Sequence, residues 1–301
     1  MDSSILDLVG KTPLIKLREI MGDGVAELHA KLEYFNPTGS HKDRIAVYMI
    51  RDAESSGLIK PGDVIVEASS GNTAISVAWA ASILGYEAVI FVEKGTSQTK
   101  LKLIRSFGAE LIEVPPKPPG HPDNYAAAAR RYAEEHGYFY LNQYGNEANV
   151  RAHYETTAPE IYEQLGGGID AFVMGIGTGG TISGVGRFLR EKLGKKVKLV
   201  GVVPRNSPIV DGVNSDRIEG LAVDIVPEIW VRNRDLVDGV LEVSYQDALE
   251  TMKKLIRREG VIGGLSAGAN VYAALRVAKE LGSGVVVTII PDTALRYPHL
   301  I

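Results

Sequence analysis

Lys42 stands where a predicted turn leads into a predicted helix. Residues 36–44 are Asn-Pro-Thr-Gly-Ser-His-Lys-Asp-Arg, and the Asn-Pro and Thr-Gly pairs are typical of a turn. Lys42 then falls in the first turn of the helix that follows. The helix dipole disfavours a cation there, so the amine is easier to deprotonate. A neutral lysine amine is what Schiff-base chemistry requires. The alternative is an ordinary solvated lysine near a helix start.

Three segments rich in glycine and small polar residues also open predicted helices. Residues 67–73, Glu-Ala-Ser-Ser-Gly-Asn-Thr, offer backbone and hydroxyl donors to a carboxylate or a phosphate. Residues 175–181, Gly-Ile-Gly-Thr-Gly-Gly-Thr, follow an apolar strand and could surround a phosphate with backbone N–H groups. In residues 263–269, Ser266 is the polar side chain that could reach a cofactor atom. Ordinary helix caps are the alternative for the first and third segments, and a structural turn for the second.

The glycine segment also matches a dinucleotide-binding pattern. Gly175, Gly177 and Gly180 satisfy G-x-G-x-x-G in a strand–turn–helix context. That interpretation needs an acidic residue at the end of the next strand to hold a ribose. The next predicted strand instead ends in Pro-Arg, where Arg205 could meet a 2′-phosphate. An NADP-dependent oxidoreductase therefore stays open as an alternative.

The combination of these segments favours an organic cofactor over a metal. The six histidines show no metal-ligand spacing, so we expect no metal site, and the absence of cysteine excludes thiolate zinc sites and a cysteine nucleophile. A phosphate loop together with a candidate Schiff-base lysine indicates a phosphate-bearing aldehyde. Pyridoxal 5'-phosphate (PLP) is the commonest such cofactor.

Charge and hydropathy limit the partners and the compartment. The 301 residues include 33 Lys and Arg against 37 Asp and Glu, a net charge of −4. This balance argues against broad binding of nucleic acid or anionic membranes. No apolar run is long enough to cross a bilayer, and residues 1–4 lack the basic and apolar regions of an export signal. We therefore expect a cytoplasmic protein.

Alternating strand and helix patterns predict the fold class. Strands separated by helices are typical of βαβ units and a parallel sheet. Their number exceeds the needs of one open sheet, so we expect two α/β lobes, each a mostly parallel twisted sheet flanked by helices, with ligands beyond the carboxyl ends of the strands in a cleft between the lobes. The predicted strands are 64–68, 88–92, 111–114, 138–140, 171–174, 199–203 and 285–290, and the predicted helices are 73–84, 98–107, 124–135, 155–165, 181–192, 246–259 and 267–281.

Ordered motifs along nearly the whole chain resemble the cysteine synthase branch of the fold-type II PLP-dependent enzymes, which have the tryptophan synthase β-like fold. That branch includes O-acetylserine and O-phosphoserine sulfhydrylases and cystathionine β-synthases. The motifs that carry the resemblance are residues 11–14, 36–40, 42–44, 70–73, 146–149, 153–154, 157, 159–161, 177–181, 259–260, 266–268, 291–293 and 296–297.

The resemblance implies a role for each matching residue. Lys42 would form the Schiff base with PLP and act as the base for the substrate α-proton. Asn72 would bond the ring oxygen of PLP, and Ser266 would face its pyridine nitrogen. The group expected to hold the cofactor phosphate is Gly177, Thr178, Gly179, Gly180 and Thr181. The group expected to hold the substrate carboxylate is Ser69, Ser70, Gly71, Thr73 and Gln143.

The resemblance also implies an activity and an organisation. We expect β-replacement on O-acetylserine or O-phosphoserine by sulfide, through an aminoacrylate intermediate, to give L-cysteine. Cystathionine β-synthase and serine or threonine dehydratase are the alternatives within the class, and a non-catalytic protein of the same fold is a further one. Residues 41–145 would form a smaller mobile lobe that binds the substrate carboxylate. Residues 1–40 and 146–301 would form the larger lobe with the phosphate loop. A homodimer is expected.

Departures from the family pattern concern the leaving group and the nucleophile, and they include His41 and residues 204–221. His41 replaces a usual apolar residue before the lysine. Residues 204–221 differ from the acetylserine-specific form, and within them Arg205 follows a strand expected to end at the cleft. A guanidinium at that place could pair with the phosphate of O-phosphoserine, since it would gain little from a neutral acetyl ester. The alternative is a surface arginine.

Overall fold

The computed structural model describes residues 4–22, 26–118 and 121–301. Residues 1–3 lie outside these ranges. They are most of the segment on which the expected lack of an export signal depends. Within them no helix is long and apolar enough to cross a membrane.

The described residues form ten strands and ten α-helices. The strands are β1 (Leu14–Leu17), β2 (Glu27–Leu32), β3 (Val64–Ala68), β4 (Glu87–Glu93), β5 (Glu110–Val114), β6 (Phe139–Tyr140), β7 (Ala171–Gly175), β8 (Lys198–Pro204), β9 (Gly239–Val243) and β10 (Val285–Ile290). The helices are α1 (Lys42–Ser55), α2 (Asn72–Leu84), α3 (Gln98–Ser106), α4 (Tyr125–His136), α5 (Glu147–Ala152), α6 (Ala158–Gln164), α7 (Gly180–Leu193), α8 (Glu228–Asn233), α9 (Tyr245–Lys254) and α10 (Leu265–Leu281). Two π-helical turns, His153–Thr157 and Leu255–Glu259, continue α5 and α9.

The chain divides into two compact units. The first contains Lys42–Asn149 and the residues up to Val9, and the second contains Gly10–His41 and Val150–Ile301.

The first unit is built on a four-stranded parallel sheet in the order β5-β4-β3-β6. Side chains alternate between its two faces, so Val66 and Ala68 of β3 pack with Ala129 and Ala133 of α4 on one face. Glu67, between them in sequence, points to the other face. The Ala-rich helix α2 packs against β3 and β4 and is almost entirely buried, which explains why it shows no polar stripe.

The second unit is built on a six-stranded sheet in the order β1-β2-β10-β7-β8-β9. All pairings are parallel except that of β1 with β2. From β7 the chain continues through α7 to β8 on one side, whereas the last strand, β10, lies on the other side of β7. The strand order therefore reverses at β7, and the carboxyl ends of strands at such a reversal are the usual ligand-binding place of open α/β sheets.

The structure confirms the predicted α/β class with mostly parallel sheets flanked by helices. Three strands were not predicted: β1, β2 and β9 are short or carry charged residues at positions that alternate with apolar ones. The predicted helix 155–165 is wrong at its start, because the helical path begins at Glu147 and contains a π-helical turn. Hydrophobic periodicity does not distinguish a π-helical turn from the α-helix around it.

Candidate active site

Lys42 is the first residue of α1, as the turn and helix pattern predicts. The two residues before it are fixed within the second unit. Ser40 forms a β-bridge with Asp292, and the backbone N–H of His41 donates to the carbonyl of Pro291 at 2.9 Å. The turn that leads into the lysine is therefore held to the segment that follows β10.

The predicted carboxylate-binding loop follows β3 and leads into α2. The residue that precedes the helix is Gly71, which has no side chain to cap it. Asn72 and Thr73 are the first two helical residues, so neither is the ordinary helix cap that was the alternative for this segment. The N-terminus of this 13-residue helix presents backbone N–H groups without a capping side chain, which is the arrangement that attracts an anion.

Gln143 and Thr73 meet although they are 70 residues apart. The hydroxyl of Thr73 donates to Oε1 of Gln143 at 2.7 Å, and Nε2 of Gln143 donates to the carbonyl of Ala68 at 3.1 Å. Asn149 holds the Gln143 backbone by donating from Nδ2 to its carbonyl at 2.8 Å. The structure thus brings together two of the residues predicted to bind a carboxylate, at the end of one strand and the start of one helix.

The two serine hydroxyl groups of this loop both accept backbone N–H groups. Oγ of Ser69 accepts the N–H of Gly71 at 3.2 Å, and Oγ of Ser70 accepts the N–H of Glu93 at 3.0 Å. A Cβ atom at Gly71 would contact nothing within 4 Å. The loop is therefore held by one bond within it and one bond to the end of β4, while Gly71 faces open space.

Glu67 lies directly before this loop and is fully buried. Sequence reasoning gave it no role, because a single glutamate in a strand gives no sign of its burial. Its carboxyl accepts the backbone N–H of Ala68 at 2.8 Å and that of Gln143 at 3.2 Å. Burial raises the pKa of Glu67 to about 8, although the two N–H groups partly oppose the shift.

The predicted phosphate loop joins β7 to α7 in the second unit. Gly179 precedes the helix with φ +87°, a left-handed conformation that suits glycine, and no side chain caps α7. A Cβ atom at Gly177 would lie 2.7 Å from the carbonyl oxygen of Gly220, and one at Gly179 would lie 3.1 Å from the backbone N of Trp230. Both glycines are required by close backbone approach, and the loop can present its N–H groups to a phosphate.

Ser266 is the second residue of α10 and is 2% exposed. It is not the cap of that helix, because Gly264 holds the capping position. A Cβ atom at Gly220 would lie 3.5 Å from its Oγ, so the Gly220 segment contacts both Ser266 and the phosphate loop. Among the described residues the side chain of Ser266 makes no hydrogen bond, which leaves its hydroxyl for a bound group.

Asp292 follows β10 and packs on the glycines that precede α10. Its Oδ2 accepts the hydroxyl of Tyr297 at 2.6 Å, and a Cβ atom at Gly264 would lie 2.3 Å from its Oδ1. Burial and the Asp292 carboxylate together raise the pKa of Tyr297 well above its ordinary value. Tyr297 therefore stays a neutral donor and fixes this carboxylate.

His153 is a residue whose position sequence reasoning did not foresee. It begins the π-helical turn and is buried. Nδ1 lies 2.9 Å from Oγ1 of Thr157, and Nε2 lies 3.1 Å from Oγ1 of Thr181 in the phosphate loop. The ring of His41 lies 5.9 Å away between centroids. π-helical turns occur frequently at functional sites, but the histidine spacing alone carries no signal for this contact.

Arg205 directly follows β8, as predicted, and its side chain is 61% exposed. Nη2 lies 3.5 Å from Oδ2 of Asp216, which also accepts the backbone N–H of Tyr245 at 2.7 Å. The guanidinium therefore already has a carboxylate partner, and contact with a substrate phosphate would have to compete with it.

A helix without a capping side chain, beside a glycine loop at the carboxyl end of a central strand, is typical of phosphate-binding α/β proteins. The chain matches the family of pyridoxal-phosphate-dependent enzymes over residues 5–292, and it belongs to that family. The match excludes the NADP-dependent alternative. It also fits the structure, because the loop cradle and the unpartnered hydroxyl of Ser266 suit a phosphate and a ring nitrogen.

Similarity to individual proteins extends over almost the whole chain. A cysteine synthase of Staphylococcus aureus is 41% identical over 300 residues, which are 98% of this chain and 94% of that protein. The crystal structure of an O-ureido-L-serine synthase matches with a TM-score of 0.92 and 37% identity over 99% of this chain and 93% of that chain. That of O-acetylserine sulfhydrylase isoform 3 from Entamoeba histolytica matches with a TM-score of 0.90 and 33% identity over 99% and 90%. The predicted resemblance to the cysteine synthase branch is confirmed.

Proposed function

We propose that this chain is a cysteine synthase that replaces the β-substituent of O-acetylserine or O-phosphoserine with sulfide to form L-cysteine. The observation that carries the proposal is the 41% identity with a cysteine synthase over 98% of the chain. The structural similarity to an O-acetylserine sulfhydrylase supports the same class of reaction.

The residues of the second unit would hold the cofactor by its phosphate and its ring. Residues 177–181 would donate backbone N–H groups to the phosphate, helped by the N-terminus of α7. The hydroxyl of Ser266 would face the pyridine nitrogen. When bound, PLP supplies an electron sink for the bonds at Cα of an amino acid. A neutral hydroxyl at the ring nitrogen moderates that sink and suits elimination at Cβ.

The residues of the first unit would act on the amino acid. Nζ of Lys42 would bind the cofactor aldehyde carbon and, once displaced, would take the proton from Cα. Asn72 would donate to the ring oxygen of the cofactor. The substrate carboxylate would bind at the N-terminus of α2, through the residues predicted for it: Ser69, Ser70, Gly71, Thr73 and Gln143.

The bond changes follow from these roles. The Cα–H bond breaks with its proton going to Lys42, and the Cβ–O bond breaks as acetate or phosphate leaves with the bonding electrons. Sulfide then forms the new C–S bond at Cβ, and Lys42 returns a proton to Cα. We further propose, from the resemblance alone, a cytoplasmic homodimer.

Steady-state assays with matched donors and nucleophiles test the proposal. We expect L-cysteine from sulfide and either O-acetylserine or O-phosphoserine, and little product from free L-serine. Cystathionine from L-serine and homocysteine, or pyruvate from L-serine alone, would assign one of the other activities of the class. A further assay uses hydroxyurea as the nucleophile in place of sulfide, because a structural relative is an O-ureido-L-serine synthase. A higher kcat/KM with hydroxyurea than with sulfide would contradict the proposal.

A further inference from the structure

The buried carboxyl of Glu67 connects the two sides of the carboxylate-binding loop. Oε1 accepts the N–H of Ala68, the last residue of β3, and Oε2 accepts the N–H of Gln143, which follows β6. The side chain of Gln143 in turn bonds the carbonyl of Ala68 and the hydroxyl of Thr73. Glu67 thus fixes the backbone of the residue whose side chain reaches the start of α2.

Within the described part of the chain, Glu67 makes no ion pair with a cation. Opposite it on β4 lies Ile90, and α2, which packs on this part of the sheet, has no ionisable side chain. Helix α1 presents Asp43 to α2, where it accepts the hydroxyl of Ser76 at 2.6 Å.

Helix α4 covers the opposite face of the sheet, the one on which Val66 lies. Tyr140 of β6 packs with Val66 there, and Arg130 of α4 lies over its ring. The pKa of Glu67 accordingly has no contribution from a charged group: burial raises it to about 8, and only the two backbone N–H groups oppose the rise.

We propose that Glu67 is a positioning residue that permits substrate binding as a neutral acid and weakens it as a carboxylate. The inference rests on the proposed function, because it assumes that residues 69–73 and Gln143 bind the substrate carboxylate. An ionised Glu67 would put a second, buried negative charge next to that site. The effects of substrate binding and of Glu67 ionisation on each other are reciprocal. A bound carboxylate therefore also makes Glu67 harder to ionise.

The test measures binding of L-alanine, which has the carboxylate and amine of the substrate but no leaving group. Its dissociation constant is followed by cofactor absorbance in the wild type and in Glu67→Gln, which keeps the shape of a neutral acid. The amine of the ligand ionises identically in both experiments. Between about pH 7 and about pH 9.5 we expect the wild-type constant to rise roughly tenfold more than that of the variant, the scale of two nearby like charges in a protein.

A second measurement needs no variant. Infrared spectra of the wild type with carbon-13-labelled glutamates should show an acid C=O stretch that persists at neutral pH and disappears near the pKa of Glu67. Saturating L-alanine should move that disappearance to higher pH. An acid band that is already absent at about pH 6, or that titrates identically with and without L-alanine, overturns the inference, as does the same pH dependence of binding in both proteins.

The two proposals fail differently. If L-alanine binds the wild type without any Glu67-dependent change, the inference is wrong and the proposed function stands. If the wild type binds neither L-alanine nor O-acetylserine at any pH, the proposed function fails and the inference fails with it.

Discussion

Nε2 of His153 lies 3.1 Å from Oγ1 of Thr181, and this contact joins the π-helical turn to the phosphate loop. The other ring nitrogen lies 2.9 Å from the hydroxyl of Thr157, within the same turn. Because hydroxyl groups both donate and accept, either neutral tautomer satisfies the pair. The imidazole therefore fixes the rotamer of Thr181 from outside the loop.

Removal of that imidazole should weaken cofactor binding. In His153→Ala, two buried hydroxyls lose their partner, at a cost of about 1–3 kcal/mol. We expect the dissociation constant of PLP to rise roughly tenfold, measured by titrating the cofactor-free protein. The matched control is His299→Ala, since His299 is exposed. An unchanged constant in His153→Ala would show that Thr181 keeps its position without the ring.

Lys42→Ala should abolish turnover, because the proposed attachment point and the proposed base leave together. The variant should also lose the long-wavelength absorbance of lysine-bound PLP while still binding the cofactor through the phosphate loop. The control is Lys60→Ala, an exposed lysine elsewhere in the same unit. A Lys42→Ala protein that retains both the absorbance and the rate would refute the assignment of the lysine.

Gly177→Ala should distort the phosphate loop. The added methyl group would lie 2.7 Å from the carbonyl oxygen of Gly220, and neither backbone atom can yield as a flexible side chain would. We expect about 1–3 kcal/mol loss of stability together with weaker PLP binding, measured by denaturant unfolding and cofactor titration. Gly239→Ala is the control, because a Cβ atom there contacts nothing within 4 Å. Equal behaviour of the two variants would contradict the close approach.

The ion pair of Arg205 and Asp216 determines what Arg205→Ala should do. If Arg205 binds the phosphate of the substrate, the variant should lose roughly 10- to 100-fold in kcat/KM for O-phosphoserine alone, as expected for a charge-assisted bond. If Arg205 only forms the exposed ion pair with Asp216, kcat/KM should change little and equally for both donors, since such pairs contribute about 1 kcal/mol or less. We expect the second result, with Arg217→Ala, another exposed and paired arginine, as the control. A loss confined to O-phosphoserine would restore the predicted donor contact.

Glu67 should make stability fall as the pH rises. Its pKa is about 8 in the folded chain against an ordinary value of 4.5, so the folded state binds more protons between these two values. The contribution of Glu67 to the free energy of unfolding is therefore fully present below about pH 4.5. It falls by about 1.4 kcal/mol per pH unit as the pH rises and is lost by about pH 8. Urea unfolding should be measured for the wild type and Glu67→Gln across this range. The free energy of unfolding of the wild type should fall relative to that of the variant as the pH rises. Parallel curves would mean that Glu67 is ionised throughout.

Much of the candidate site could be predicted because it depends on local sequence. The start of α1 at Lys42 follows from an adjacent turn, and the phosphate loop follows from an apolar strand, closely spaced glycines and a helix. The Thr73–Gln143 contact was within reach only through the family resemblance, since no local pattern connects residues 70 positions apart.

The rest depends on packing that local sequence does not encode. Glu67 is buried because a helix covers its face of the sheet, and its neighbours in sequence do not show this. His153 meets Thr181 across 28 residues, from the start of a π-helical turn that hydrophobic periodicity does not reveal. Gly220 limits the space at Gly177 through its backbone carbonyl. Every residue has that group, so the residue type gives no signal of the contact.

The close approach of Gly179 to the backbone of Trp230 places a fluorescent residue next to the phosphate loop. The chain has two tryptophans; Trp230 adjoins the phosphate loop, and Trp79 lies within α2 in the other unit. Replacement of Trp79 by phenylalanine leaves a single indole, whose emission can transfer energy to a bound pyridoxal chromophore. Quenching of that one fluorophore reports loading of the loop in real time, without a label and without turnover.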